Sequence, residues 1–219
     1  MIGAVIAMQC EADILLEDMC VYRHLTVSGK EVYVGNAHGK EIALVVCGVG
    51  KVNAALGAQL LVSKFDAETL INFGVAGGLN EKTELCAVYQ IKAATQFDFD
   101  LTQLNGTKIG TLDEYKENFL KLNVLPGNKF PQRKLGTADR FNDSPADYNL
   151  LTKELGADIR DMEGAAIVQA AYLAKLPVYS FKAISDVAGS GSTTDQYLQN
   201  RATALKNLKS VLPEIFEAL

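Results

Sequence analysis

Residues 41–78 read EIALVVCGVGKVNAALGAQLLVSKFDAETLINFGVAGG, and the order of signals in that run decides the fold class. Glu41–Cys47 is an unbroken apolar stretch of strand length, as expected for a strand covered on both faces. Gly48-Val49-Gly50 breaks it, and Lys51–Lys64, rich in Ala and Leu, predicts a helix. Thr69–Phe73 is the next strand and ends in Gly74-Val75-Ala76-Gly77-Gly78. The alternation extends both ways. Upstream, Ile2–Met8 reads as a buried first strand and Glu11–Met19 as helical. Tyr22–Val27 and Glu31–Asn36 read as two short strands about a Ser28-Gly29 turn. Downstream, Ala87–Ala94 and Lys134–Ala138 read as strands, Asp113–Leu122 and Pro145–Leu155 as helices, and Pro126–Pro131 as loop. Met162–Leu173 is a strong helix, Pro177–Ile184 a last core strand, and Thr194–Leu219 a long amphipathic helix that Pro213 is placed to kink. Alternation of this kind argues an α/β layered sheet with helices on both faces.

With 219 residues and 48% hydrophobic composition, the chain can bury one sizeable core, and one domain over 1–219 is expected. A net charge of −5 without a basic run disfavours a nucleic-acid or anionic-membrane partner. Cys10, Cys20, Cys47 and Cys86 form no CxxC pair, and only His24 and His38 stand beside them. They read as free thiols rather than metal ligands, in a reducing cytoplasm. The opening apolar run meets Glu11 and Asp13 at once, carries no leading Lys or Arg, and is not expected to be a signal peptide.

In open α/β sheets ligands bind beyond the carboxyl ends of the strands. Three carboxylates fall there: Glu11 after the first strand, Glu163 at the start of a helix, and Asp186 after the last core strand. Converging strand ends could bring them to one pocket, where crowding pushes carboxylate pKa values apart and supplies an acid and a base. Each could equally be a helix cap or dipole partner. Gly48-Val49-Gly50-Lys51 lacks the spacing of a phosphate loop or dinucleotide fingerprint. Gly74–Gly78 would let backbone approach a ligand closely, or could be a plain turn.

Five segments in order carry a resemblance: Ala7-Met8-Gln9-Cys10-Glu11, Gly48–Ala55, Asn72–Gly78, Asp161–Ala166 and Lys182–Ala188. Together they resemble the methylthioadenosine/S-adenosylhomocysteine nucleosidase group of the nucleoside phosphorylase superfamily. The resemblance implies a three-layer αβα fold around a central mixed, twisted sheet, usually in a homodimer, with no metal or organic cofactor. It implies that Glu11 helps activate the attacking water, that Met162 and Glu163 hold the ribose, and that Asp186 protonates or hydrogen-bonds the purine at N7. Phe141 matches the aromatic that stacks on the base, and Asn142 falls where backbone groups read the base edge. Val75, Ala76, Gly77 and Lys182 match further substrate-binding positions. Lys182 stands where the group usually has Arg, and Val75 where a small hydroxyl residue is common. The segment 189–194 lacks the usual aromatic over the sugar's 5′ side. Phe97 and Phe99 could lie at the dimer seam or be buried strand residues. A glutamate at position 11, where the superfamily's phosphorylases carry a phosphate site, suits water rather than phosphate. A phosphorylase and a nucleoside binder without turnover remain as alternatives.

Overall fold

The computed structural model describes residues 1–141 and 143–219. Among them, ten strands form one mixed sheet around a single long hub, β5 (Thr69–Gly78). Its partners on one side are β1 (Ile2–Ile6) and then β4 (Lys40–Val46), both parallel, followed by the antiparallel hairpin strands β3 (Lys30–Ala37) and β2 (Cys20–Val27). On its other edge β5 pairs in parallel with β10 (Val178–Val187). β10 pairs in turn with β6 (Val88–Gln96), β6 with β8 (Gln132–Thr137), β8 with β9 (Ile159–Asp161), and β9 returns to β5. Five strands therefore close on themselves, and the two-residue β7 (Leu120–Lys121) lies beside β6.

Helices cover both faces. α2 (Lys51–Phe65) buries Ala54, Ala58 and Leu61, and α5 (Gly164–Ala174) buries Ala165, Ile167 and Val168, all in one core with β4 and β5 residues such as Val45 and Leu70. α1 (Gln9–Leu16) and α6 (Thr193–Ala218) bury Leu15, Leu208, Leu212 and Phe216 against Ile71, Phe73 and Phe181 on the opposite face. Small residues on α2 and α5 let those helices approach the sheet closely. The three layers expected from the resemblance are present. A satellite core of Leu79, Phe97, Ala138 and Leu151 sits under α4 (Pro145–Asn149) and the π-helical turns 150–155 that continue it. A short helix, α3 (Thr102–Asn105), is one turn in the polar stretch after β6. No helix among the described residues is long and apolar enough to cross a membrane.

The structure corrects several boundaries. Residues 113–122 are not a helix: Leu120 and Leu122 are both buried, two apart as in a strand, and Leu120 pairs with Ala94 of β6. β5 does not end at Phe73 but runs through the glycines to Gly78, because β10 pairs with it along that whole length. β10 likewise continues past Ile184, with a register shift between Ile184 and Asp186 that keeps Asp186 inside the strand. α5 begins only at Gly164, so Met162 and Glu163 precede it. α6 continues through Pro213, held by burial of Leu212, Ile215 and Phe216 on either side.

Candidate active site

The hub strand loses its neighbour midway. β1 pairs with β5 only as far as Ile71, and β9 takes over that edge at Gly77. Twisted strands splay, and the backbone between has no strand partner on that edge. Asn72 fills the start of the gap, donating from Nδ2 to the Val5 carbonyl at 3.0 Å. Beyond it a cavity of about 360 Å³ opens, within the range of small-molecule sites. Its wall includes Met8, Glu11, Val75, Ala76, Gly77, Met162, Glu163, Asp186 and Phe141.

Glu11 lies in the first turn of α1 and is 3% exposed. Its Oε2 accepts the Met8 N–H at 3.2 Å, so the capping role open from the sequence is real. Its Oε1 does something a cap does not: it accepts the Val75 N–H at 2.8 Å, a donor left over where β1 and β9 part. This approach depends on Gly74, where a Cβ would stand 2.4 Å from Glu11 Oε1. Burial pushes the Glu11 carboxyl up, with Lys182 and the two N–H donors pulling against it.

Glu163 precedes α5 but does not cap it. Asp161 takes that task, accepting the Gly164 N–H at 2.9 Å, and Thr137 Oγ1 accepts the Ala165 N–H at 3.0 Å. Glu163 is thereby released to cross the cavity floor, where its Oε1 accepts the N–H of Gly50 at 2.8 Å. Gly50, at φ +101°, turns that N–H at the head of α2. Burial and the neighbouring Asp161 raise the Glu163 carboxyl to about 7, against the pull of Lys182 and the Gly50 N–H.

Asp186 completes the wall from β10. Ser185 Oγ donates to its Oδ2 at 2.9 Å, and Arg160 Nη2 stands 3.7 Å from its Oδ1. Burial raises its pKa, with Ser185 and Arg160 opposing. Three carboxylates of separate elements thus share one cavity, each displaced upward by burial and so poised to exchange protons nearer neutral pH than a solvated carboxylate.

Phe141 is half exposed at the mouth, edge-on to Tyr197 at 5.8 Å between ring centroids. Asn142 lies outside the described residues. Lys182 does not line the cavity. It lies behind the wall, its Nζ 2.9 Å from Asp161 Oδ2 with both side chains almost fully enclosed. Burial alone would lower its pKa, but Asp161, Glu163 and Glu11 together raise it. Phe97 packs into the satellite core, and Phe99 is partly buried. Asp161, Arg160, Arg140, Tyr197 and Leu198 were not singled out from the sequence. Only Asp161 left a signal there, as an Asp placed to cap the helix that follows. The others depend on which helix face and which strand meet the cavity. Among the described residues no group of three or more His, Cys, Asp or Glu is placed to hold a metal ion.

A family model described as "Phosphorylase superfamily" matches residues 1–217. A methylthioadenosine/S-adenosylhomocysteine nucleosidase of Listeria monocytogenes is 31% identical over 88% of this chain and 88% of its own. The corresponding protein of Desulfotalea psychrophila is 26% identical over 100% of this chain and 97% of its own. The crystal structure of an S-adenosylhomocysteine nucleosidase from Streptococcus pyogenes, in complex with 5-methylthiotubericidin, superposes with a TM-score of 0.88 at 26% identity. It covers 100% of this chain and 96% of that one.

Proposed function

We propose that this chain, which belongs to the methylthioadenosine/S-adenosylhomocysteine nucleosidase group of the phosphorylase superfamily and is an N-glycosyl hydrolase, cleaves adenine nucleosides of the methylthioadenosine type. The observation that carries this reading is the gathering of Glu11, Glu163 and Asp186 in one cavity. Glycoside cleavage passes through an oxocarbenium-like state, which carboxylates on either side of the bond stabilise. Glu11, held by two backbone N–H groups, takes a proton from the attacking water. Glu163 accepts from the ribose hydroxyls, with Met162 against the sugar. Asp186 donates a proton to the purine at N7, which lets the base leave as a neutral molecule. Phe141 stacks on the base, and Val75, Ala76 and Gly77 line its approach.

Water rather than phosphate is the acceptor. The head of α2 would be a natural anion site, but its first two donors are taken by the protein's own carboxylates: Gly50 N–H by Glu163, and Lys51 N–H by Asp139 at 2.7 Å. The Val75 N–H is likewise taken by Glu11. A phosphate entering here would add negative charge beside three carboxylates. The test is adenine release from methylthioadenosine with and without phosphate. The expected rate ignores phosphate; release that requires it would make the protein a phosphorylase and overturn the role of Glu11.

The functional unit is a homodimer. Val49 lies on the cavity wall with about half its surface exposed, and Val52 and Leu56 continue that apolar strip along the outer face of α2. A second copy seated there would shield the strip and close the sugar end of the cavity. Light scattering at micromolar concentration is expected to give twice the monomer mass, and a monomeric mass sinks this. The four cysteines are free thiols, which supports a cytoplasmic setting.

A further inference from the structure

Asp186 has a neighbour that the reaction as described does not use. Arg160, on β9, stands on the wall of the main cavity and also on the wall of a second cavity of about 400 Å³ that begins beside it. Its side chain is 13% exposed. Its Nη2 lies 3.7 Å from Asp186 Oδ1 and 3.9 Å from Asp143 Oδ1, so the guanidinium is bracketed by one carboxylate from each cavity. The backbone leaves room for this: a Cβ on Gly77 would stand 2.8 Å from Asp186 Oδ1 and 3.0 Å from Arg160 Nε. Asp143 is itself anchored, its Oδ2 accepting the Thr193 N–H at the start of α6 at 3.4 Å.

We propose that Arg160 is a positioning residue that holds the Asp186 carboxyl toward the base and sets the pH range in which it donates its proton, with Asp143 as the counterweight. A guanidinium 3.7 Å from one oxygen, with the Ser185 hydroxyl donating to the other at 2.9 Å, favours one orientation of the carboxyl in the cavity. The cation favours the charged form of Asp186, and Asp143, by charge repulsion, favours the neutral form. The other titratable groups on the cavity wall are Glu11 from α1, Asp161 and Glu163 from the β9–α5 junction, Arg140 before α4 and Tyr197 from α6.

This inference rests on Asp186 being the acid, and the signs follow from that. An acid works while protonated, so kcat falls as pH rises through its pKa. Removing Arg160 raises that pKa, and the alkaline limb moves to higher pH. Removing the Asp143 charge lowers it, and the limb moves the other way. The experiment is the pH profile of kcat for adenine release from methylthioadenosine by wild type, R160M, R160K, D143N and D186N. For R160M the limb is expected to rise by about one unit or more. Its plateau is expected to fall about tenfold, part of the roughly 10²–10⁴ that a positioned acid supplies. R160K is expected to restore the limb, though not all of the plateau, because Lys lacks the planar fork. D143N is expected to shift the limb downward by a smaller step, since Asp143 is half exposed and its charge is screened. An R160M limb that coincides with the wild type's overturns the proposal. If R160M does not fold, an unmoved D143N limb does the same. D186N separates the two readings. Wild-type turnover in D186N removes Asp186 as the acid, whereas a slow D186N with an unmoved R160M limb removes only the role of Arg160.

Discussion

Glu11→Gln is expected to lower kcat for adenine release by about 10²–10⁴, the range that a positioned general base supplies. The substitution removes the proposed base and disturbs its seat. Both Glu11 oxygens accept backbone N–H groups, from Val75 at 2.8 Å and from Met8 at 3.2 Å. An amide can satisfy only one of them, and its NH₂ then faces a donor. The upward displacement of the Glu11 carboxyl by burial suits the proposed role, because a base whose pKa approaches the working pH takes a proton from water more readily. Glu163 and Asp186 remain in place in this variant, so calorimetry should still detect binding of a non-hydrolysable adenine nucleoside analogue. A turnover number within a few-fold of wild type would rule out Glu11 as the base. Loss of binding together with turnover would mean that Glu11 chiefly shapes the cavity.

Lys182→Met is expected to cost about 3–5 kcal/mol of folding stability, the usual penalty for stripping one partner from a buried ion pair. Lys182 is the cation behind the wall, and Asp161, Glu163 and Glu11 all act on it. Without it the Asp161 carboxylate stays enclosed, with the donors Thr137 Oγ1 and Gly164 N–H aimed at it but no cation. Urea denaturation at neutral pH measures the loss, and the double variant K182M/D161N should recover part of it. Activity gives a second readout. In its proposed role Glu163 must be ionised to accept from the ribose, so kcat/KM should fall as pH drops through about 7, the value to which burial and Asp161 raise it. Lys182 holds that value down, so K182M should carry the acid limb to higher pH. Stability unchanged to within about 1 kcal/mol, or an acid limb that does not move, would show that the three carboxylates do not depend on this cation.

Lys182 also shows where reading the chain stops. Its segment, Lys182–Ala188, was recognisable in the sequence, and the resemblance put it against the substrate. Whether it touches substrate turns on which side of β10 faces the cavity, and β10 changes register between Ile184 and Asp186. That shift puts Asp186 on the wall while Lys182 points behind it to Asp161. Glu11 and Glu163 were both legible as acids near helix starts, and their roles could not be separated from capping. The structure separates them in different ways. Glu11 caps its helix and reaches Val75 as well, whereas Glu163 is freed because Asp161 does the capping.

By itself the sequence determined the layered α/β class, because unbroken apolar runs and helical runs alternate at lengths suited to buried strands and covering helices. It determined which carboxylates sit at the ends of those elements. It also carried the glycines of β5, although their purpose was open between turn and close approach. Tertiary structure alone decided that β5 runs through those glycines, since a strand ends where its partners end and β10 pairs with it to Gly78. It decided that the site lies where β1 and β9 part along β5, a gap produced by partners far apart in the chain. It brought Arg160 to Asp186, because contacts across such a gap depend on strand order and register, which no local run of residues encodes.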